Sequence, residues 1–164
     1  MFVPKAVERY SPSGLSLASN IILGRGERVV LYTSVSPLGE NIRLNKCIGY
    51  FENILDFKPG LPRQCPRPDD DILRQYSSQC INYGRSLSAC EPVDPNEPLP
   101  YYDYQCREYL AQFTYSGCYA NHSADQNFLS SEWRVWTGTV FLDPSHDRVM
   151  LLDDRGRVVD YREY

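Results

Sequence analysis

Residues 132–164, which read EWRVWTGTVFLDPSHDRVMLLDDRGRVVDYREY, carry the clearest strand and turn signals of the chain. Apolar residues occupy 149–152 and return at 158–161. Between them lies DDRG at 153–156, whose glycine supplies the backbone freedom that a tight turn needs. This pattern predicts a β-hairpin. We expect the hairpin and the strand before it to form one wall of a β core.

Both tryptophans of the protein lie in the same stretch, at positions 133 and 136. Side chains alternate between the two faces of a strand, so an odd separation places Trp133 and Trp136 on opposite faces. We therefore expect one of them in the core and the other exposed or covered by the segment inserted between the halves of the core.

Length and composition favour one domain that contains a sizeable insertion. The chain has 164 residues, of which 42% are hydrophobic and 23% charged, with a net charge of −4. The basic residues are scattered, which argues against nucleic acid as a partner. No apolar run approaches the ~18 residues of a membrane span. The N-terminus lacks a signal-peptide pattern, so we expect either an excised exported domain or a cytosolic protein.

The cysteines are even in number and do not follow zinc-site spacing. Three disulfides are the preferred interpretation, and they predict an oxidising compartment. The sequence does not choose their connectivity. The six residues are Cys47, Cys65, Cys80, Cys90, Cys106 and Cys118.

The first part of the chain predicts further strands. Residues 1–13 resemble an arm or linker. Residues 15–23 and 28–32 are strand candidates around a turn at 24–27, which predicts a first hairpin. In a third candidate strand, 42–51, apolar and polar residues alternate at the start.

The middle of the chain differs in composition and predicts a Cys-rich helical insert over residues 52–120. A helix is expected to start at Asp69-Asp70-Asp71, where carboxylates favour the positive end of the helix dipole. Ile72, Tyr76, Cys80 and Tyr83 follow at helical spacing, and a second helix is predicted over 103–113. Each helix places a cysteine on its apolar face, so we expect a bridge between helices or from a helix to the sheet. The predicted domain is 14–164, with its β core at 14–51 and 131–164.

Two segments resemble the lamin tail domain. ILGRGERVVLYT at 22–33 is similar to a glycine-containing strand of that family, and WRVWTG followed by HDRVMLLDDRGRVVDYREY at 146–164 is similar to its ending. The resemblance implies an immunoglobulin-like β-sandwich. With the helical insert predicted above, which departs from the family, the expected fold class is mainly β with an α insertion. The resemblance also implies the binding or anchoring role that such domains have in bacterial surface and secreted proteins.

Catalytic and metal-binding patterns are sparse. His122 and His146 have no evident nucleophile near them in sequence. Asp143 and Asp147 are Ca²⁺ candidates within an acidic C-terminal region, but they do not follow EF-hand spacing, and solvated turn residues are the preferred explanation. A helix start explains Asp69-Asp70-Asp71 without a metal. No cofactor is predicted.

Tyrosines are the strongest candidates for a recognition surface, because Tyr combines contact area with a polar tip. For the tyrosines as a set, however, the preferred interpretation is that they build a modest core. Tyr101, Tyr102 and Tyr104, beside a proline-rich loop, are the binding candidates together with Trp136.

The sequence thus predicts a non-enzymatic, extracytoplasmic binding or anchoring module of a cell-surface or secreted protein. Its partner would be a protein or a cell-envelope glycan. Two alternatives stay open. One is a structural envelope component that assembles with itself. The other is a hydrolase accessory domain that uses Asp and His groups in the C-terminal loops.

Overall fold

The structure of the protein is a computed structural model that describes residues 5–94, 96, 99, 102–140, 145–153 and 155–163. Within these ranges the strands are β1 (Ala6–Val7), β2 (Ala18–Ser19), β3 (Arg28–Tyr32), β4 (Ile42–Asn45), β5 (Leu129–Trp136), β6 (Arg148–Leu152) and β7 (Val158–Glu163). A 3-10 helix covers Ile48–Asn53. The α-helices are α1 (Asp70–Leu73), α2 (Ser78–Ser86), α3 (Tyr104–Leu110) and α4 (Tyr115–His122). The fold is α+β, as predicted.

Five strands form one mixed sheet in the order β2-β1-β4-β5-β3. β5 runs antiparallel to β4 and parallel to β3, where Arg28 lies opposite Glu132 and Tyr32 opposite Trp136. A parallel neighbour requires a long connection. The chain between β3 and β5 supplies it, since this segment contains β4 and all four α-helices.

The segment predicted to be an arm, residues 1–13, contributes β1 to the sheet. β1 pairs antiparallel with β2 and parallel with β4. Ala6 and Val7 are fully buried, and the Val7 amide donates to the Asn41 carbonyl at 2.7 Å. The arm prediction is wrong here because two buried residues make too short an apolar run to stand out from their polar neighbours.

The predicted first hairpin is also wrong. The turn at 24–27 forms, with the Glu27 amide donating to the Gly24 carbonyl at 3.1 Å. However, β3 pairs with β5, and only Ala18–Ser19 of the preceding segment is a strand, which pairs with β1. Pairing with β5 buries both tryptophans, whereas Leu15 and Leu17 stay exposed. Burial of that large apolar area outweighs the local turn signal.

Of the strand predicted over 42–51, only the first four residues form. The Asn45 side-chain oxygen accepts a hydrogen bond from the Cys47 amide at 2.9 Å, and the 3-10 helix then begins at Ile48. Gly49 lets this helix pack tightly. A β-carbon at this position would lie 2.6 Å from the carbonyl oxygen of Pro62.

The helix predicted to start near Pro68 is divided in two. Asp69 caps α1 as predicted, its carboxylate accepting hydrogen bonds from the amides of Asp71 and Ile72 at 2.8 and 3.1 Å. α1 then ends, and the Ser77 hydroxyl caps α2 by accepting from the Cys80 amide at 3.2 Å. Of the residues expected to share one helical face, Ile72 therefore lies on α1, Cys80 and Tyr83 lie on α2, and Tyr76 lies between the two helices.

The second predicted helix corresponds to α3, which is shorter than the predicted 103–113. Cys106 and Leu110 lie on its buried face. α4 was not predicted, because its sequence YSGCYANH is short, contains a glycine, and places apolar residues at helical spacing only at Tyr115, Cys118 and Tyr119.

Two disulfides lie within the insert, and a third connects the insert to the chain beside the sheet. The pairs are Cys47–Cys118, Cys65–Cys90 and Cys80–Cys106. The prediction of three disulfides is confirmed, and they indicate an oxidising, extracytoplasmic environment. Cys80–Cys106 joins α2 to α3, and Cys47–Cys118 joins α4 to the chain just after β4. Both kinds of expected bridge are therefore present.

The buried side chains form two clusters. The main core lies between the sheet and the segments that cover it, and includes Ile42, Leu44, Phe128 and Trp136 together with the first two disulfides. The insert core is smaller and surrounds the Cys80–Cys106 disulfide with Leu73, Leu87, Leu99 and Leu110.

The opposite face of the sheet buries Trp133 under polar side chains. Its indole nitrogen donates to the Glu27 carboxylate at 3.4 Å, and the Arg43 guanidinium lies 5.3 Å from the ring centre. Arg43 also pairs with Glu27 and with Glu8. The two tryptophans thus occupy opposite faces, as predicted, but both are buried.

The C-terminal hairpin forms as predicted, with β6 and β7 antiparallel and Gly156 in the turn at a φ of +75°. It is a separate two-stranded sheet. Met150, Leu152 and Tyr161 are exposed, so the hairpin does not form a wall of the core. Within the described ranges the predicted immunoglobulin-like sandwich is not confirmed, since helices and loops cover the five-stranded sheet.

None of the described helices combines the length and apolar character that crossing a membrane requires.

Candidate ligand-binding cleft

A cleft of about 400 Å³ opens where four segments of the chain meet. These are residues 10–14, the 3-10 helix with Ile54, Pro92 of the insert and the start of α4. We call it the aromatic cleft. It is lined by Tyr10, Ser11, Pro12, Gly14, Tyr50, Phe51, Asn53, Ile54, Pro92, Thr114, Tyr115 and Ser116.

Three rings form the wall of the aromatic cleft. Phe51 and Tyr115 are tilted against each other with their centroids 4.3 Å apart, and Tyr10 meets Phe51 edge to face at 5.6 Å. Such contacts fix the ring planes and add to the stability from burial alone. The wall is therefore a defined apolar surface that is held in place before any ligand arrives.

Hydrogen bonds hold the wall at its base. The Tyr115 hydroxyl donates to the Tyr10 carbonyl at 2.6 Å and accepts from the Asn45 amide at 3.3 Å. Burial raises the pKa of Tyr115 well above its ordinary value, so the phenol stays protonated. On the other side, the Asn53 amide donates to the carbonyls of Tyr50 and Cys90, each at 2.8 Å.

Tyr50 is the largely buried residue of the aromatic cleft whose hydroxyl has no protein partner among the described residues, and the exposed Ser116 hydroxyl has none either. Its side chain is 6% exposed, and burial alone raises its pKa to about 12. Every fully buried side-chain polar atom in the described part of the chain has a hydrogen-bond partner. The Tyr50 hydroxyl takes part in none of these bonds, so it is not fully enclosed, and the residue lines the cleft.

Two disulfides fix the segments that form the walls. Cys47–Cys118 connects the residue before the 3-10 helix to α4, which carries Tyr115. Cys65–Cys90 anchors the loop whose Cys90 carbonyl binds Asn53. A preformed site loses less entropy when it binds a ligand.

None of the lining residues carries a charge. Proton transfer or nucleophilic attack needs a titratable or activated group within hydrogen-bonding reach of the substrate. The aromatic cleft offers two phenols, Tyr50 and Tyr115, that burial holds protonated, together with further hydroxyls and one carboxamide. These groups can hold a ligand by hydrogen bonds and aromatic contact.

The structure places the predicted binding residues elsewhere. Tyr102 and Tyr104 are 71% and 68% exposed at the start of α3, and neither lines the cleft. Tyr101 lies outside the described residues. Trp136 is wrong as a surface candidate, because it is buried and stacks on Tyr32 with a centroid distance of 5.5 Å.

The histidines do not form a catalytic arrangement. The His122 ring nitrogen lies 3.0 Å from the Asp125 carboxylate, which also accepts from Lys46 at 2.7 Å. The hydrogen bonds from Lys46 and His122 lower the pKa of Asp125. His146 is exposed and contacts the neighbouring Ser145 hydroxyl at 2.9 Å. Neither histidine lines the aromatic cleft.

Among the described residues, the candidate aspartates do not form a metal site. The described residues place one set of three potential ligands together, Cys80, Asp103 and Cys106. The two sulfur atoms of this set form a disulfide, so they cannot act as thiolate ligands. Asp147 belongs to no such set, and Asp143 lies outside the described residues.

Sequence reasoning missed the cleft because its parts lie in four separate segments. Tyr10 falls in the segment predicted to be an arm, and Phe51 at the end of a predicted strand. Tyr115 lies in the predicted insert, but α4 was not predicted. The pairing Cys47–Cys118 would have brought Phe51 near Tyr115, and the sequence does not fix that pairing.

No protein-family model matches the chain, and no curated protein or solved structure shows significant similarity to it.

Proposed function

We propose that the protein is a non-enzymatic, extracytoplasmic binding module of a cell-surface or secreted protein, and that its ligand site is the aromatic cleft. The observation that carries this proposal is a preformed, uncharged, aromatic cleft whose walls two disulfides hold. Clefts that combine apolar walls with a few polar groups are typical of ligand sites. The role agrees with the binding or anchoring function that the resemblance to lamin tail domains implies.

The export part of the proposal is tested by alkylation. Natively exported protein is treated with a thiol reagent before and after reduction, and its intact mass is measured. We expect no modification before reduction and six modified cysteines after it. Modification of all six before reduction would contradict export to an oxidising compartment.

The binding part is tested with isolated cell-envelope fractions and the oxidised protein. Ser116→Trp places an indole on the first turn of α4, where Ser116 is exposed and lines the aromatic cleft. We expect this variant to keep the wild-type melting temperature and to lose envelope binding. The matched control is Tyr104→Trp, which places an indole on exposed α3. Loss of binding in the control alone would assign the function to the tyrosine surface.

A structural, self-assembling role is the second candidate, and the exposed hairpin favours it. Met150, Leu152, Val158 and Tyr161 expose apolar surface on strands with free edges, and such edges are prone to pair with other chains. Sedimentation at increasing protein concentration separates the two roles. A mass that stays that of one chain supports the binding module.

A further inference from the structure

The chemistry of the aromatic cleft identifies a class of ligand. We propose that it binds a neutral saccharide ring, stacked on the wall of Phe51 and Tyr115 and hydrogen-bonded by the Tyr50 hydroxyl. This inference rests on the proposed function, because it takes the cleft to be the binding site. Charge, the kind of polar group and the size of the cleft support it independently.

Charge argues against ionic ligands that need a counter-charge from a side chain. The lining residues include no acidic, basic or histidine side chain, so a phosphate, carboxylate or sulfate would meet no Arg or Lys. The start of α4 also lies at the cleft, where the Thr114 hydroxyl already accepts from the Gly117 amide. A cation could contact the aromatic rings, but no carboxylate of the lining would balance its charge. The lining therefore favours a neutral group.

The polar groups of the cleft match a ligand that both donates and accepts hydrogen bonds. Tyr50, Ser11, Thr114 and Ser116 contribute hydroxyls, which can act in both directions. Tyr50 is the decisive one. Its ring is buried, its hydroxyl has no protein partner, and desolvation keeps it protonated with a pKa of about 12. Sugar hydroxyls have the same dual capacity.

The aromatic wall matches the other property of a sugar ring, which is its apolar C–H face. The negative π-face of an aromatic ring attracts such weakly positive C–H groups. Phe51 and Tyr115 present adjacent rings 4.3 Å apart, and Tyr10 closes one side. A ligand with an apolar face and a hydroxyl edge satisfies both the wall and the Tyr50 hydroxyl.

A proline-rich peptide is the competing ligand, since aromatic grooves also bind polyproline helices. Such a peptide offers carbonyl acceptors and no donors at its prolines, and it extends about 3.1 Å per residue. The cleft holds about 400 Å³, near the lower end for small-molecule sites. Its size and its hydroxyl-rich lining favour the saccharide.

The test is calorimetric titration of the oxidised protein with cellohexaose, chitohexaose and mannohexaose at millimolar concentrations, with a proline decapeptide as the peptide probe. We expect at least one saccharide to bind and Ser116→Trp to abolish binding. Tyr50→Phe removes one hydroxyl and keeps the ring, so we expect its affinity to fall roughly three- to tenfold. Tyr104→Phe, the control, removes an exposed tyrosine hydroxyl outside the cleft and should bind like wild type.

The outcomes separate this inference from the proposed function. If the decapeptide binds, Ser116→Trp blocks it and no saccharide binds, the cleft is a binding site but the saccharide assignment is overturned. If a saccharide binds equally to wild type and Ser116→Trp, the cleft is not its site, and both proposals fail. If no probe binds, the saccharide assignment is overturned, and the proposed function is then decided by the envelope-binding experiment alone.

Discussion

At the scale of single residues, Gly49 controls how closely the 3-10 helix approaches the loop behind the aromatic cleft. We expect Gly49→Ala to destabilise the protein, because its β-carbon would lie 2.6 Å from the Pro62 carbonyl oxygen and beside the Cys65–Cys90 disulfide. Neither neighbour can move freely. Overpacking of this kind costs about 1–3 kcal/mol, which corresponds to roughly 2–10 °C in Tm for a domain of this size.

The matched control for that substitution is Gly60→Ala. There the nearest atom to an added β-carbon is a carboxylate oxygen of Glu52 at 3.4 Å, the end of a flexible side chain. Thermal unfolding of both variants checks the prediction. If the two variants melt at the same temperature, the backbone around Gly49 can move to make room for the added β-carbon.

Glu132 predicts a specific pH dependence of stability. Burial raises its pKa, but the hydrogen bonds and charges of Arg28 and Arg134 together outweigh burial, so the pKa lies below its ordinary value of 4.5. A carboxyl group with a lowered pKa in the folded state stabilises the fold above its unfolded pKa. That contribution is lost as the pH falls through the lowered value.

We therefore expect Glu132→Gln to melt below wild type at pH 7, and the difference to shrink as the pH falls from 4.5 towards 3. Glu163→Gln is the control. It removes the Arg148 partner on the exposed hairpin, where both side chains are more than half exposed, and exposed pairs contribute little. If the difference in melting temperature between Glu132→Gln and wild type does not change with pH, the ion pairs of Glu132 are not its cause.

At the scale of elements, different disulfides stabilise the two cores. Cys47–Cys118 closes a sequence separation of 71 residues in the main core, and Cys80–Cys106 one of 26 in the insert core. The chain-entropy relation gives about 4.4 and about 3.5 kcal/mol for loops of these lengths. The two bridges therefore differ mainly in location and less in strength.

We expect replacement of Cys80 and Cys106 by Ala to lower the melting temperature and to leave binding at the aromatic cleft intact, because the lining residues lie outside the insert core. The same replacement at Cys47 and Cys118 should abolish binding, since it frees α4 from the 3-10 helix. Melting curves and envelope-binding assays on both double variants check this. Loss of binding in the Cys80/Cys106 variant would show that the two cores are coupled.

The elements that the sequence predicted correctly carry local signals. The Asp69 cap, α3 and the C-terminal hairpin each depend on residues within about ten positions of one another, and turn and cap chemistry acts at that range. β1 and the pairing of β3 with β5 depend on partners tens of residues away. A single sequence does not encode those pairings in its local pattern, and the cleft was missed for the same reason.

At the scale of the whole molecule, the C-terminal hairpin is stabilised by its own contacts. The Asp153 carboxylate accepts from the amides of Arg155 and Arg157, each at 2.9 Å, and from the Arg157 side chain at 2.7 Å. Arg148 pairs with Glu163 across the strands. Its described apolar side chains are about half exposed or more. The hairpin thus adds little buried area to the main core, although it carries the strongest strand signal in the sequence.

We therefore expect a chain that ends at Val140 to keep the fold of residues 5–140. The free energy of unfolding should fall by less than about 1 kcal/mol, which corresponds to a decrease in Tm of no more than about 2–4 °C. Removal of residues 1–9 should instead unfold the protein, because it deletes the buried β1 from between β2 and β4. Calorimetry and near-ultraviolet circular dichroism of the oxidised chains distinguish the two truncations. If the C-terminal truncation unfolds as completely as the N-terminal one, the hairpin does form a wall of the core, and the sandwich predicted from the sequence becomes the better description of the molecule.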